Sequence, residues 1–126
     1  MQYGVAVRNA KLDAVETAIG VSAKLLIFSG AKPANCAASD PSGLLATITL
    51  PSDWLNDASG GTKTLKGSWS NTASGAGVAA SWRIYDNGVT VCHIQGDTTD
   101  MTFNNTNIAS GQTVTVTAFT LTAGNA

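Results

Sequence analysis

Charge is scarce in this chain. Of its 126 residues, seven are basic and eight acidic, so 12% are charged and the formal net charge is −1. Soluble domains usually carry about twice that share. Nucleic-acid-binding proteins concentrate basic residues in a patch, whereas the basic residues here are scattered. We therefore expect no nucleic-acid partner and a surface covered largely by threonine, serine, asparagine and glycine.

Histidine and cysteine are scarcer still, because the chain contains only His93, Cys36 and Cys92. Structural zinc normally requires four closely spaced Cys or His ligands, and a two-histidine metalloprotease motif needs a second histidine. The glycine-rich phosphate and dinucleotide motifs and the GxSxG elbow are also missing. The sequence therefore predicts neither an enzyme nor a metal or cofactor site.

Acidic and amide residues gather near the C-terminal third of the chain, at Asp97, Asp100, Asn104 and Asn105. Carboxylates and amides suit calcium, but this segment lacks the glycine and the bidentate glutamate of an EF-hand loop. A solvated turn is the favoured interpretation.

Long apolar runs are missing as well. No segment approaches the ~20 apolar residues of a membrane helix. The first twenty residues lack the apolar core and small-residue cleavage site of a signal peptide. We expect a protein that is made in the cytoplasm and has no membrane partner.

The N-terminal segment, residues 1–20, predicts a helix. Residues 7–19 contain no glycine or proline, and Gly20 is a typical helix stop. Leu12, Val15 and Ile19 fall on one apolar stripe. So short a helix must lean on another surface, either its own domain or a partner, and these three residues are candidate partner contacts.

Residues 21–126 predict a second region that is mainly β. About seven strand candidates alternate with turn signals, which indicates an antiparallel β-sandwich or a small barrel with a short N-terminal helix. In the last strand, Val114 and Val116 define one face, but Phe119 and Leu121 lie on the other. Either a β-bulge near 117–118 reconciles them, or the strand passes from one sheet to another.

The segment "SWRIYDNGVTVCHIQG" predicts a hairpin. Asn87–Gly88 favours a two-residue type I′ turn, which places Ile84 opposite Val91. Side chains alternate along a strand, so Cys92 and Ile94 would share one face and His93 the other. A catalytic Cys92–His93 dyad is then excluded unless a bulge interrupts the strand, and a dyad of Cys36 with His93 stays open as an alternative.

Cys36 and Cys92 leave two alternatives. They pair in a disulfide, which would close a loop of about 57 residues and add roughly 4 kcal/mol on chain-entropy grounds, or they remain two buried thiols. Cytoplasmic synthesis favours thiols, whereas release from a lysed cell exposes the pair to oxidants.

The tryptophans divide between core and surface. Trp82 is expected to fill the core, and Trp54, on a loop after Pro51, is a candidate partner contact. An alternative groups Trp54, Trp69 and Trp82 with Tyr85 as a sugar-stacking platform.

The stretches "VAVRNAKLDAVETAIG", "SGAKPANCA", "GLLATITLPSDWL", "CHIQG" and "VTVTAFTLTAGNA" together resemble short, uncharacterised structural proteins of the virions of tailed bacteriophages and prophages. The resemblance implies a virion component and carries no catalytic residues. With the small size and lack of reactive groups, it leads us to expect a capsid decoration or cement protein, bound as a homo-oligomer to the major capsid protein. The alternatives are a tail or neck component that adapts tail fibres, and a carbohydrate-binding host-adsorption module.

Overall fold

One helix and ten short strands, joined in antiparallel sheets, make up the computed structural model, which describes residues 1–124. The predicted mainly β, sandwich-like fold with an N-terminal helix is confirmed, and the sheets do not close into a barrel. The elements are α1 (Val5–Ile19), β1 (Lys24–Phe28), β2 (Leu44–Thr49), β3 (Thr62–Thr64), β4 (Ser70–Thr72), β5 (Gly77–Val78), β6 (Ser81–Tyr85), β7 (Cys92–Asp97), β8 (Met101–Phe103), β9 (Asn107–Ile108) and β10 (Thr113–Thr122). The last two residues of the predicted 21–126 region lie outside the described part.

Two sheets enclose the core. The first has the strand order β2-β1-β6-β7, and the second is organised by β10, which pairs with β3, β4 and β8. Strands β5 and β9 form a separate two-stranded ribbon. Apolar side chains from both sheets and from the end of α1 form one continuous buried cluster between them.

The helix packs its predicted stripe on its own domain. Leu12 and Ile19 are buried and Val15 is half-buried. Gly20, at φ +88°, ends the helix, and this left-handed conformation explains the glycine. The Lys63 ammonium of β3, itself 5% exposed, lies 2.8 Å from Asp13 and 2.7 Å from Glu16. No helix among the described residues is long and apolar enough to span a membrane.

An aromatic row crosses the core. The ring centroids of Trp54 and Trp69 are 5.9 Å apart, those of Trp69 and Phe119 5.5 Å, and those of Phe119 and Trp82 5.6 Å. Tilted and edge-on contacts of this kind are favourable for aromatic rings. Each buried indole N–H donates to a backbone carbonyl: Trp54 to Gly20, Trp69 to Lys66 and Trp82 to Asp97.

The predicted bulge in the last strand is confirmed. Val116 pairs with Phe103 and Ala118 with Thr102, so Thr117 is the extra residue. Because the bulge reverses the alternation, Phe119 points into the same core as Val116.

The predicted β6–β7 hairpin forms, but its two-residue turn is wrong. Ile84 pairs with Ile94 and Tyr85 with Cys92, so residues 86–91 make a longer connection. The Asp86 carboxylate accepts hydrogen bonds from the Thr90 hydroxyl and from the amides of Thr90 and Val91. These bonds stabilise a wider turn than the dipeptide Asn87–Gly88 alone would make.

Acid is expected to weaken this connection through Asp86. Bonds from the side chain of Thr90 and the amides of Val91 and Thr90 lower the pKa of the carboxyl to about 2. A depressed pKa gives stability that is present above the unfolded value of about 3.9 and is lost as the pH falls towards 2. The wild type should therefore lose more stability than Asp86→Asn between pH 4 and pH 2 in chemical unfolding. Equal losses in the two proteins would contradict the role of Asp86.

Gly96 should be intolerant of a methyl group. A Cβ there would meet Trp82 Cε2 and Asp100 Oδ2, each at 2.7 Å, so Gly96→Ala must displace the core indole. We expect a loss of about 1–3 kcal/mol in the free energy of unfolding. Gly88→Ala is the matched control, because its Cβ would meet atoms only at 3.5 Å and should change stability by less than about 0.5 kcal/mol. Equal effects at both positions would show that Gly96 is not in close contact.

Candidate functional site

The outer face of the first sheet carries a buried charge. All five residues of β6 are buried, and Arg83, 2% exposed, points away from the aromatic core. Its guanidinium donates two hydrogen bonds to the Gln95 side-chain oxygen, at 3.2 and 3.0 Å. It also donates to the carbonyls of Ala38 and Asn35, at 2.9 and 3.1 Å. A buried charge is tolerated only when it is paired and hydrogen-bonded, and these contacts meet that requirement.

Residues 31–42, hereafter the covering loop, supply most of these partners. Two backbone bonds close the base of the loop: the Gly30 amide donates to the Ser42 carbonyl and the Ser29 amide to the Gly43 carbonyl, each at 2.9 Å. Gln95 donates to the Pro33 carbonyl at 2.8 Å. Between the loop and the sheet lies a cleft of about 320 Å³. Its lining includes the only two cysteines of the chain.

A carboxylate and a phenol complete the cluster beneath the loop. Asp40 Oδ1 accepts from Arg83 at 3.0 Å and from the Tyr85 hydroxyl. Burial and the bond to Asp40 raise the pKa of Tyr85. Burial alone would lower the pKa of Arg83, but the bond to Tyr85 and nearby negative charge outweigh it, and the pKa is raised. Near pH 7, Arg83 is therefore charged and Tyr85 neutral. Together with Asp40, these side chains anchor the covering loop and do not exchange protons.

The two thiols meet at this cleft. Cys36 comes from the covering loop and Cys92 begins β7, and their sulfur atoms lie 2.9 Å apart. Both residues are half-buried. Burial, the contact with Cys36 and the charge of Cys36 raise the pKa of Cys92 to about 12. A thiol with so high a pKa is a poor nucleophile at neutral pH.

The predicted alternation of β7 is wrong at its start. Cys92 packs with Leu26, Phe28 and Tyr85 on the outer face, whereas Ile94 packs against the main core. The bulge between the paired positions makes His93 the extra residue, and its side chain is exposed. The imidazole and the Cys92 sulfur therefore lie in different surroundings, and the adjacent pair does not make a catalytic dyad.

The residues predicted to contact a partner do not form an exposed surface. Leu12 and Ile19 are buried against the chain's own core, Val15 packs on it, and Trp54 is 0% exposed. The sugar-stacking platform is wrong for the same reason, since Trp69 is also 0% exposed and Trp82 and Tyr85 are buried.

A different side of α1 is exposed to solvent. Opposite the buried stripe, the exposed positions form a face without charge, bordered by Lys11 and Asp13; its members are Ala6, Val7, Ala10, Ala14, Thr17 and Ala18. Val7 is 49% exposed, and Val21, just beyond the helix, is 66% exposed. We call the six helical residues, Ala6, Val7, Ala10, Ala14, Thr17 and Ala18, the outer helix face.

The acidic and amide residues near 97–105 make turns. Asp97 accepts from the amide and the hydroxyl of Thr99, and Asp100 accepts from the Asp97 amide. Within residues 1–124, no three His, Cys, Asp or Glu side chains are grouped so that they could hold a metal ion.

Sequence patterns did not predict the Arg83 cluster or the outer helix face. One signal for the cluster was present, because an arginine interrupts the otherwise apolar strand "SWRIY", and buried arginines require partners. Nothing in the sequence pointed to Asp40 or the loop carbonyls as those partners. The sequence does contain a signal for the outer helix face, because alanine recurs at every fourth position of the helix.

Comparison of the chain with protein-family models, with curated proteins and with solved structures finds no match.

Arg83→Lys should destabilise the protein strongly. Lysine keeps the charge but cannot reach Gln95 and two carbonyls together, so buried acceptors lose their donors. We expect a loss of about 2–4 kcal/mol in the free energy of unfolding. Arg8→Lys is the matched control, since Arg8 is half-buried and, among residues 1–124, its side chain donates one bond, to Ala123, and it should cost about 1 kcal/mol or less. Denaturant unfolding measures both, and similar losses would mean that Arg83 is not the anchor of the loop.

Proposed function

We propose that this chain is a structural protein of a tailed-bacteriophage virion, and that it decorates the capsid as a cement protein, bound as an oligomer to the major capsid protein. The outer helix face carries the proposal. An exposed patch without charge often marks a contact with another protein, and α1 carries such a patch of alanine, valine and threonine. Here one side is buried in the chain's own core and the other is exposed. That exposed side is the surface on which a capsid protein would dock.

The buried charged side chains are occupied by contacts within the chain, which supports a structural role. Lys63 holds α1 to β3, and Arg83 with Asp40 and Tyr85 holds the covering loop. Groups that are saturated by partners of their own chain are poorly placed to act on a substrate. Binding, rather than catalysis, is the role that this arrangement favours.

The surface composition also supports repeated packing. With 12% charged residues and a net charge of −1, neighbouring copies would repel each other weakly. The stretches that carry the resemblance to virion proteins include the helix, part of the covering loop and strands β2, β7 and β10. The resemblance therefore spans both the core and the outer helix face.

Val7→Glu is expected to block attachment to capsids. The variant places a charge within the proposed contact, and burying an unpaired charge is costly, so affinity should fall about tenfold or more. Val78→Glu is the matched control, because Val78 is 60% exposed on β5, away from the helix. Capsids that lack this protein would be mixed with each variant and the bound copies counted. Both variants should keep the wild-type melting temperature.

Two outcomes would contradict the proposal. Equal binding of the two variants would remove the outer helix face as the contact. Cryo-electron microscopy of intact particles tests the location. Copies over the whole shell are expected, whereas a few copies on the tail axis would instead make the protein a tail or neck adaptor.

A further inference from the structure

We propose that Cys36 and Cys92 are a cross-linking site, where a low-molecular-weight disulfide such as oxidised glutathione converts the two thiols into an intramolecular disulfide. The bond would fasten the covering loop to β7. The inference rests on the Arg83 cluster and the two sulfurs alone, so it stands or fails independently of the proposed virion role.

The fold holds the two sulfurs in place from both sides. Cys92 is positioned by its strand pairing with Tyr85. Cys36 is positioned because the carbonyls on either side of it, at Asn35 and Ala38, accept hydrogen bonds from Arg83. The Asn35 side chain also accepts from the Ala37 and Ala38 amides, at 3.0 and 3.1 Å, which makes this part of the loop a defined turn.

The remaining movement is small. The sulfurs are 2.9 Å apart, and a disulfide bond is about 2.05 Å long. An approach of under about 1 Å is therefore needed, and a side-chain rotation can provide it. The residues are 56 positions apart in sequence, so the folded structure, and not the local chain, brings them together.

The reaction balances as two thiol–disulfide exchanges. The Cys36 thiolate attacks one sulfur of the oxidised glutathione, forms a mixed disulfide and releases one glutathione thiolate. The Cys92 thiolate then attacks the Cys36 sulfur, which closes the protein disulfide and releases the second glutathione thiolate. The two thiolates take up the protons that the cysteines lost, so the protein is oxidised by two electrons and the glutathione disulfide is reduced to two thiols.

The surroundings favour this order of attack. The pKa of Cys92 is raised to about 12, first by burial and then by its contact with Cys36 and the charge there. Attack by Cys92 on an external disulfide should therefore be slow. Once Cys36 is in the mixed disulfide, the Cys92 sulfur lies beside it, so the closing step is intramolecular and is favoured by proximity.

The experiment uses the full chain, purified with a reductant that is then removed. After incubation with oxidised glutathione, the intact mass should fall by two hydrogen atoms, and no thiol should react with iodoacetamide. Peptide mapping should find residues 36 and 92 in one cross-linked pair. The melting temperature should rise by about 10 °C, because the cross-link restricts the unfolded chain.

Single-cysteine variants provide the controls. Cys92→Ser should accumulate a stable glutathione adduct at Cys36, because no second thiol can displace it. Cys36→Ser should stay largely unmodified over the same time, since partial burial raises the pKa of its remaining thiol, Cys92. Neither variant should gain the rise in melting temperature.

Two results would overturn the inference. In one, both wild-type thiols still react with iodoacetamide after the folded protein has been kept with excess oxidised glutathione. In the other, the oxidised protein runs as a disulfide-linked dimer on a non-reducing gel, which would mean that the thiols pair between chains.

Discussion

The burial of strand β6 on both faces is the constraint on which the rest of the structure depends. A strand of a two-layer sandwich normally turns one face to water, but here the outer face carries Arg83 with 2% exposure. An ionised guanidinium without partners in that position would cost several kcal/mol. The covering loop must therefore stay ordered so that the carbonyls of Asn35 and Ala38 can accept its hydrogen bonds. The position of Cys36 beside Cys92 follows from that requirement.

The inner face of β6 imposes a second condition. Trp82 begins an aromatic row that runs through Phe119 and Trp69 to Trp54, and the Trp54 indole N–H donates to the Gly20 carbonyl at the end of α1. The helix is thus held by the core at its C-terminal end and by Lys63 along its length. Its buried stripe is occupied by the chain's own core, whereas its uncharged outer face stays exposed.

Patterns over a few neighbouring residues were enough to predict the end of the helix and the bulge in the last strand. The helix ends at Gly20 as expected, because a left-handed stop is a property of a few residues. The bulge at Thr117 was predicted because Val116 and Phe119 are both apolar and an extra residue between them turns both inward. The β6–β7 turn was wrong because the Asp86 side chain competes with the Asn87–Gly88 backbone preference by accepting three hydrogen bonds.

The sequence by itself determined the class of this protein: a sparsely charged, mainly β chain with one helix, without the residue spacings of a metal or catalytic site. Periodicity and composition are sufficient for that, since they act over a few neighbouring residues. Only the tertiary structure decided that Trp54 is core and that Arg83 binds the covering loop. It also decided that Cys36 and Cys92, 56 positions apart, lie in contact. The physical reason is that burial and pairing of these groups depend on which strands and loops meet, and no local pattern specifies those partners.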